Sequence, residues 1–325
     1  MIGNFIFALF IIIIGLFFGR YLRALLDKGK IQSATKTHEM LKLCTMTALL
    51  VVNPVIILGA FWNVQLDEVR LLTVPLLGVL TLGLGGVLAV LASRMLKLKK
   101  AQEGSMFASG TFSNLGSFGN LFCFVLLGEA SLVFVAMFRL FEELVYYTIG
   151  FPIAETYGEK KEQGKRISHI KRIVTNPLII VTFLTIVVGT MLNLSPFDRP
   201  DYYSSIINVL VPIFTILLIV PTGFNMKISA VKGYLKESFI ITAIKYAIIP
   251  VTITSIALLF GLKDIYDGIV LKVIIILSAM PPGFTSLVPP QLYKLDIDLA
   301  NSSWLLNTII FFFILPILYF IVMLL

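Results

Sequence analysis

Two apolar stretches of membrane length in this chain are broken near their middles by residues that a continuous helix does not tolerate. One carries SNLGSFGNL, from Ser113 to Leu121; the other carries MPPGFTSLVPP, from Met280 to Pro290. Inside a bilayer, every backbone amide and carbonyl needs a partner. A broken helix survives at that depth only where protein or a wet cavity satisfies the freed groups. Two such breaks at matching places in the two halves of a chain point to the binding site of a secondary transporter.

The breaks lie in a chain built for lipid. Hydrophobic residues make up 58% and charged residues only 14%, with a mean hydropathy of +0.96. Apolar segments of about 20 residues, enough to cross a bilayer, fall at 3–19, 43–61, 71–93, 105–127, 132–153, 173–193, 204–224, 238–260, 269–290 and 301–325. The expected fold class is therefore an all-α membrane protein with ten transmembrane helices. The first segment lacks a basic leader and a small-residue cleavage site, and is read as a retained span.

Charge sets the expected orientation. Alternate connections hold 20 Lys and Arg residues against 3 in the opposite ones, where only Arg70, Arg199 and Lys263 stand. By the positive-inside rule the basic connections are cytoplasmic and both termini extracytoplasmic. The net charge of +8 is thus absorbed by topology and anionic lipid, and no nucleic-acid partner is expected. Cys44 and Cys123 lie in spans, too few and too apolar for a disulfide or thiolate framework. His38 and His169 lie in basic loops. No nucleotide, zinc or hydrolase-elbow motif occurs, so neither enzyme chemistry nor a metal or cofactor is expected.

The polar connection 155–172 divides the ten spans into a first repeat, 1–154, and a second, 173–325. Five is odd, so the second set enters from the opposite side, giving a 5+5 inverted repeat. Span 2 carries Asn53-Pro54, and span 7 has a similarly placed proline in VPIFTI (Val211 to Ile216). In the first break Asn114 offers a side-chain amide, and Gly116 and Gly119 permit close backbone approach. In the second, Pro281 and Pro282 remove two donors, Gly283 supplies a corner, and Thr285 and Ser286 can cap the following half-helix. Half-helix ends carry opposite partial charges, so crossed breaks gather anion- and cation-attracting ends at one depth.

Span 5 holds Arg139, Glu142 and Glu143 at about 15 Å depth. Charge at that depth is a functional hypothesis by default. Arg139 reaches Glu142 at i+3 or Glu143 at i+4, leaving one carboxyl to carry a proton or balance half-helix N-termini. Lys245 in span 8 can either snorkel to the surface or turn inward to balance half-helix C-termini or hold an anion. Lys272 lies near a span end and is read as snorkelling.

In these motifs and their order the chain resembles the auxin efflux carrier family, whose members include plant carriers and bacterial malate or malonate permease-like proteins. The resemblance runs over nearly the whole chain. It rests on GRYLR (Gly19 to Arg23), Asn53-Pro54, SNLGSFGN with LLGEASLVFVAMF (Leu126 to Phe138), TNPLII with GTMLNL (Gly189 to Leu194), and the run from Met280 to Ile317. Leu115 and Leu121 depart from the family's usual Thr and Pro, and the acidic pair Glu142–Glu143 is outside its pattern. The resemblance implies crossed helices 4 and 9, as in bile-acid symporters and sodium/proton antiporters. Spans 1, 2, 6 and 7 would be the scaffold, with spans 3–5 and 8–10 the moving core. It implies small organic anions carried by an elevator motion. The short loops point to a bacterial inner membrane, the expected driving force is proton, sodium or membrane potential, and an exposed scaffold face could pair in a homodimer. Asn114 would be the principal substrate contact, joined by Gly116 and 281–285, with Asn53 on the scaffold wall. The competing expectations are a sodium-coupled bile-acid-type symporter and a membrane sensor on a transporter fold.

Overall fold

The computed structural model describes residues 2–30, 33–64, 67–158, 175–226 and 233–325. Lys160, Lys161, Lys165, Arg166, His169, Lys171, Arg172, Lys227 and Lys232, counted above toward topology or surface, lie outside the described residues. Among the described residues the chain is all-helical, with one isolated antiparallel bridge between Ser113 and Pro282 and no strand. That is the solution lipid imposes, because a helix closes its own backbone bonds.

Among the described residues, six helices are long and apolar enough to cross a membrane. They are α1 (Ile2–Asp27), α2 (Ala34–Asn63), α3 (Val69–Met95), α9 (Tyr202–Asn225), α10 (Leu235–Leu259) and α13 (Ile297–Leu324). The fourth apolar stretch is divided into α4 (Lys100–Thr111) and α5 (Leu115–Leu127). The ninth is divided into α11 (Ile269–Ser278) and α12 (284–292). The fifth is also split, into α6 (Ser131–Phe138) and α7 (142–156). The sixth is the single shorter helix α8 (Pro177–Asn193).

Prolines shape three of these helices in the same way. Widened π turns at Ala48–Val52, Tyr146–Gly150 and Ile244–Ile248 each end two residues before a proline, at Pro54, Pro152 and Pro250. A proline ring collides with the carbonyl four residues back and offers it no N–H. Those carbonyls belong to residues 50, 148 and 246, the centre of each π turn, so the wider turn relieves the collision without ending the helix.

The chain divides into two compact units. One contains α1, α2, residues 116–133, α8 and α9; the other contains α3, α4, residues 134–158 and α10 to α13. In the first, α1 lies along α9 and α8 along α2. Gly19 and Gly223 sit where a Cβ would strike the opposing backbone. In the second, α4 packs against α3 and α13, and α10 against α13, around buried Phe112, Phe134, Phe138, Trp304 and Phe311. Large apolar side chains are meanwhile exposed, among them Phe10, Phe17, Met191, Phe313 and Phe320. Such extensive apolar exposure matches a lipid environment.

Candidate functional site

The two breaks belong to one structure within the second unit. α4 ends at Thr111, and Phe112 takes up an extended conformation. Residues 112–114 then run antiparallel to 281–283: Asn114 N donates to the Pro281 carbonyl at 2.8 Å, and Gly283 N donates to the Phe112 carbonyl at 2.9 Å. The proline pair explains this pattern. Pro281 and Pro282 have no N–H, so the 281–283 segment offers a carbonyl at one end and its only amide at Gly283. A Cβ on Gly283 would lie 2.8 Å from the Ser113 oxygen, which fixes glycine there.

Ser113 is the hub of the crossing. Its amide donates to the Tyr146 hydroxyl at 2.9 Å, and its own hydroxyl accepts from Lys245 Nζ at 2.6 Å. The Tyr146 oxygen also lies 3.3 Å from the Ser113 carbonyl and 3.2 Å from Glu142 Oε1. A phenol has one proton, so it donates to one of these at a time. Glu142 Oε2 accepts from Arg139 Nε at 2.7 Å. A polar chain thus runs Arg139–Glu142–Tyr146–Ser113–Lys245 through the interior of the unit. Glu143, half-buried beside Glu142, stands outside it.

Lys245 decides the electrostatics. It is 0% exposed and takes part in none of the ion pairs among the described residues. One serine hydroxyl is little compensation for a buried ammonium, because ions are removed from water only at a cost of several kcal/mol. A carboxylate or other anion is the natural complement to such a group.

The expected site residues separate into two groups. Asn114, Pro281, Pro282, Gly283 and Lys245 meet at the crossing, with Arg139 and Glu142 joined to it through Tyr146. Asn53, Gly116 and Gly119 lie in the other unit. Asn53 is buried in α2 with its Oδ1 unpartnered, and the two glycines sit in the π turn Leu115–Gly119. The capping expected of Thr285 and Ser286 does not occur. The cap position is Gly283, which makes no side-chain cap bond, because both residues already lie inside the first turn. Thr285 faces outward and Ser286 is fully buried. Of the two options for Lys245, the structure takes the inward one. Sequence reasoning missed the roles of Ser113 and Tyr146. The i+4 spacing of Tyr146 from Glu142 was the available signal.

Comparison with known proteins points to membrane transport. The model of the membrane transport protein family matches residues 54–319. The chain belongs to the auxin efflux carrier family of membrane transport proteins. A related protein is an uncharacterized transporter of Methanocaldococcus jannaschii, 24% identical over 227 residues, or 69% of this chain and 70% of that one. As a member of a transport family with helices of spanning length, this chain is an integral membrane protein that binds a transported substrate in a lipid bilayer. The family match runs from Pro54 to Tyr319 and includes both breaks, Tyr146 and Lys245.

Proposed function

We propose that this auxin efflux carrier-family protein is a secondary active transporter of small organic anions, such as malate, malonate or auxin-like acids. The observation that carries the reading is Lys245, a fully buried amino group at the crossing whose one hydrogen bond among the described residues is to the Ser113 hydroxyl. In this reading the substrate carboxylate pairs with Lys245 and the amide of Asn114 helps orient it. Glu142 is balanced by Arg139, which leaves Glu143 as the uncommitted carboxyl.

The ten spans form a 5+5 inverted arrangement in a bacterial inner membrane, with both termini extracytoplasmic, and transport follows an elevator motion. The division of the chain supports this. α1, α2, α8 and α9 fall in one compact unit and α3, α4 and α10 to α13 in the other, as a scaffold and a moving core would, whereas residues 116–133, expected in the core, group with the first unit. Asn114→Ala and Lys245→Met, assayed in proteoliposomes, test the site. Each should abolish substrate-dependent flux from protein that remains folded. Wild-type flux in either variant removes that residue from the substrate's contacts.

A further inference from the structure

Outside the crossing, the second unit holds several buried polar atoms without a hydrogen-bond partner among the described residues. Among the described residues, buried Ser109 Oγ, Thr111 Oγ1, Ser286 Oγ, Ser303 Oγ, Trp304 Nε1 and Asn307 Oδ1 make no hydrogen bond. Buried polar groups are rarely left this way. Thr111 turns toward Gly86 of α3, where a Cβ would meet its hydroxyl. The other five sit on α4, α12 and α13, which all pack against one another.

Helix geometry brings these five to one seam. α4 and α13 start side by side, with Ser105 Oγ donating to the Asp296 carbonyl at 2.7 Å and Asp296 N to the Ala101 carbonyl at 3.3 Å. Ser109 is one turn, about 6 Å, further along the same face of α4. On α13, Ser302 meets Ser238 of α10 at 3.0 Å, and the Trp304 ring stands edge-on to Phe284 of α12. Ser303 points between those two directions. Asn307, one turn beyond Ser303, donates to the Ser238 and Ser303 carbonyls at 3.3 and 2.8 Å and keeps Oδ1 free. Ser286 follows three residues after Gly283, whose amide is tied to Phe112 at the end of α4. Along α10, Lys245 lies seven residues, two turns, from Ser238 on the same face. The seam therefore runs from the Asp296 end toward Lys245.

The donor set identifies the occupant. Serine hydroxyls give and accept, Asn307 Oδ1 only accepts, and the Trp304 indole only gives. A bound cation would meet the indole N–H, and a bound anion would meet Asn307 Oδ1. Water satisfies every one of these groups. We propose that the seam is a buried hydration site, and that its water is the route by which Lys245 exchanges a proton with the Asp296 end.

This rests on the transport reading, in which Lys245 holds the substrate anion. When the anion departs, the ammonium is left with one serine hydroxyl in a low-dielectric interior. It gives one proton to the nearest water and becomes a neutral amine. Each water or hydroxyl along the seam takes one proton and passes one on. The last delivers it to the Asp296 carboxylate, which accepts from Tyr234 at 2.7 Å. Anion and proton leave together, so the coupling ion is the proton. Few other ionisable groups face Lys245. The break brings Ser113, with Tyr146, Glu142 and Arg139 behind it; α3 has none between Thr73 and Ser93, α11 has Lys272, and α13 has only Tyr319 beyond Asp298. Tyr246, its neighbour on α10, is committed to the Asn307 carbonyl at 2.6 Å.

A density map of the full-length protein at a resolution that shows ordered water tests the hydration site without any transport assay. Water within hydrogen-bond distance of Ser109, Ser303 and Asn307 is expected. A dry seam, with the serine hydroxyls turned onto their own helix carbonyls, overturns it. The proton route is tested by the Ser109→Ala/Ser303→Ala double variant and by Ser303→Val, which fills the seam. Uptake driven by a pH gradient should fall about tenfold while anion counterflow at equal pH stays within about twofold, the order expected for one buried hydrogen bond. Equal losses in both modes, or a loss in neither, overturn the route. Absence of counterflow in the unmodified protein would instead refute the transport reading and the proton route with it, while the hydration site stands or falls on the density alone.

Discussion

At the scale of single residues, Lys245 and Ser113 make opposite demands on stability and function. Lys245→Met removes a buried ionisable group and keeps a chain of similar length. Replacement of a buried ion by a well-packed apolar residue is often neutral or stabilising. Thermal unfolding in detergent should therefore give a midpoint equal to or above that of the unmodified protein, although flux is lost. Ser113→Ala instead leaves the buried Lys245 in place without its hydroxyl partner, a loss of about 1–3 kcal/mol, and its midpoint should fall. A drop for Lys245→Met as large as that for Ser113→Ala would make the lysine a structural residue. Asn114, Glu142 and Lys245 were legible in the sequence, because an amide or a charge in an apolar stretch stands out. Ser113 was not, because serine is common in membrane helices and its role depends on a lysine 132 residues away. Thr285 looked like a cap and is not one, since capping depends on where the turn begins rather than on residue type alone.

At the scale of elements, glycine governs the close packing of α3 and α4. A Cβ on Gly110 would run into the Gly85 carbonyl and the Ala89 side chain, whereas a Cβ on Gly83 of the same pair of helices would meet nothing within 4 Å. Gly110→Ala should therefore cost about 1–3 kcal/mol through overpacking. Gly83→Ala should be neutral or stabilising by up to about 1 kcal/mol, by restricting the unfolded chain. Comparison of the two unfolding midpoints checks this, and equal shifts would contradict the packing. The breaks in the fourth and ninth stretches were legible from their Gly, Pro and Asn content. Their extent was not. The first opens only at 112–114, because Gly116 and Gly119 are accommodated in a π turn. The interruption at 139–141 had no sequence signal, since FRLFEE contains neither glycine nor proline. There, the bond from Arg139 to Glu142 spans the gap between α6 and α7.

At the scale of the whole molecule, composition alone placed the chain in lipid, and the outward-facing phenylalanines of α1 and α13 agree. The grouping of α1 and α2 with α8 and α9 depends on contacts across more than a hundred residues. Local patterns do not encode such contacts, and only the family resemblance gave access to them. What remains is whether this architecture moves anions through the Lys245 crossing. The most direct measurement is uptake of labelled malate, malonate and indole-acetate into proteoliposomes under imposed pH, sodium or voltage gradients, with the unmodified protein and Lys245→Met side by side. Saturable uptake of at least one anion by the unmodified protein, lost in the variant, is the predicted result. Uptake of none of these anions, or uptake that persists undiminished in Lys245→Met, would contradict it.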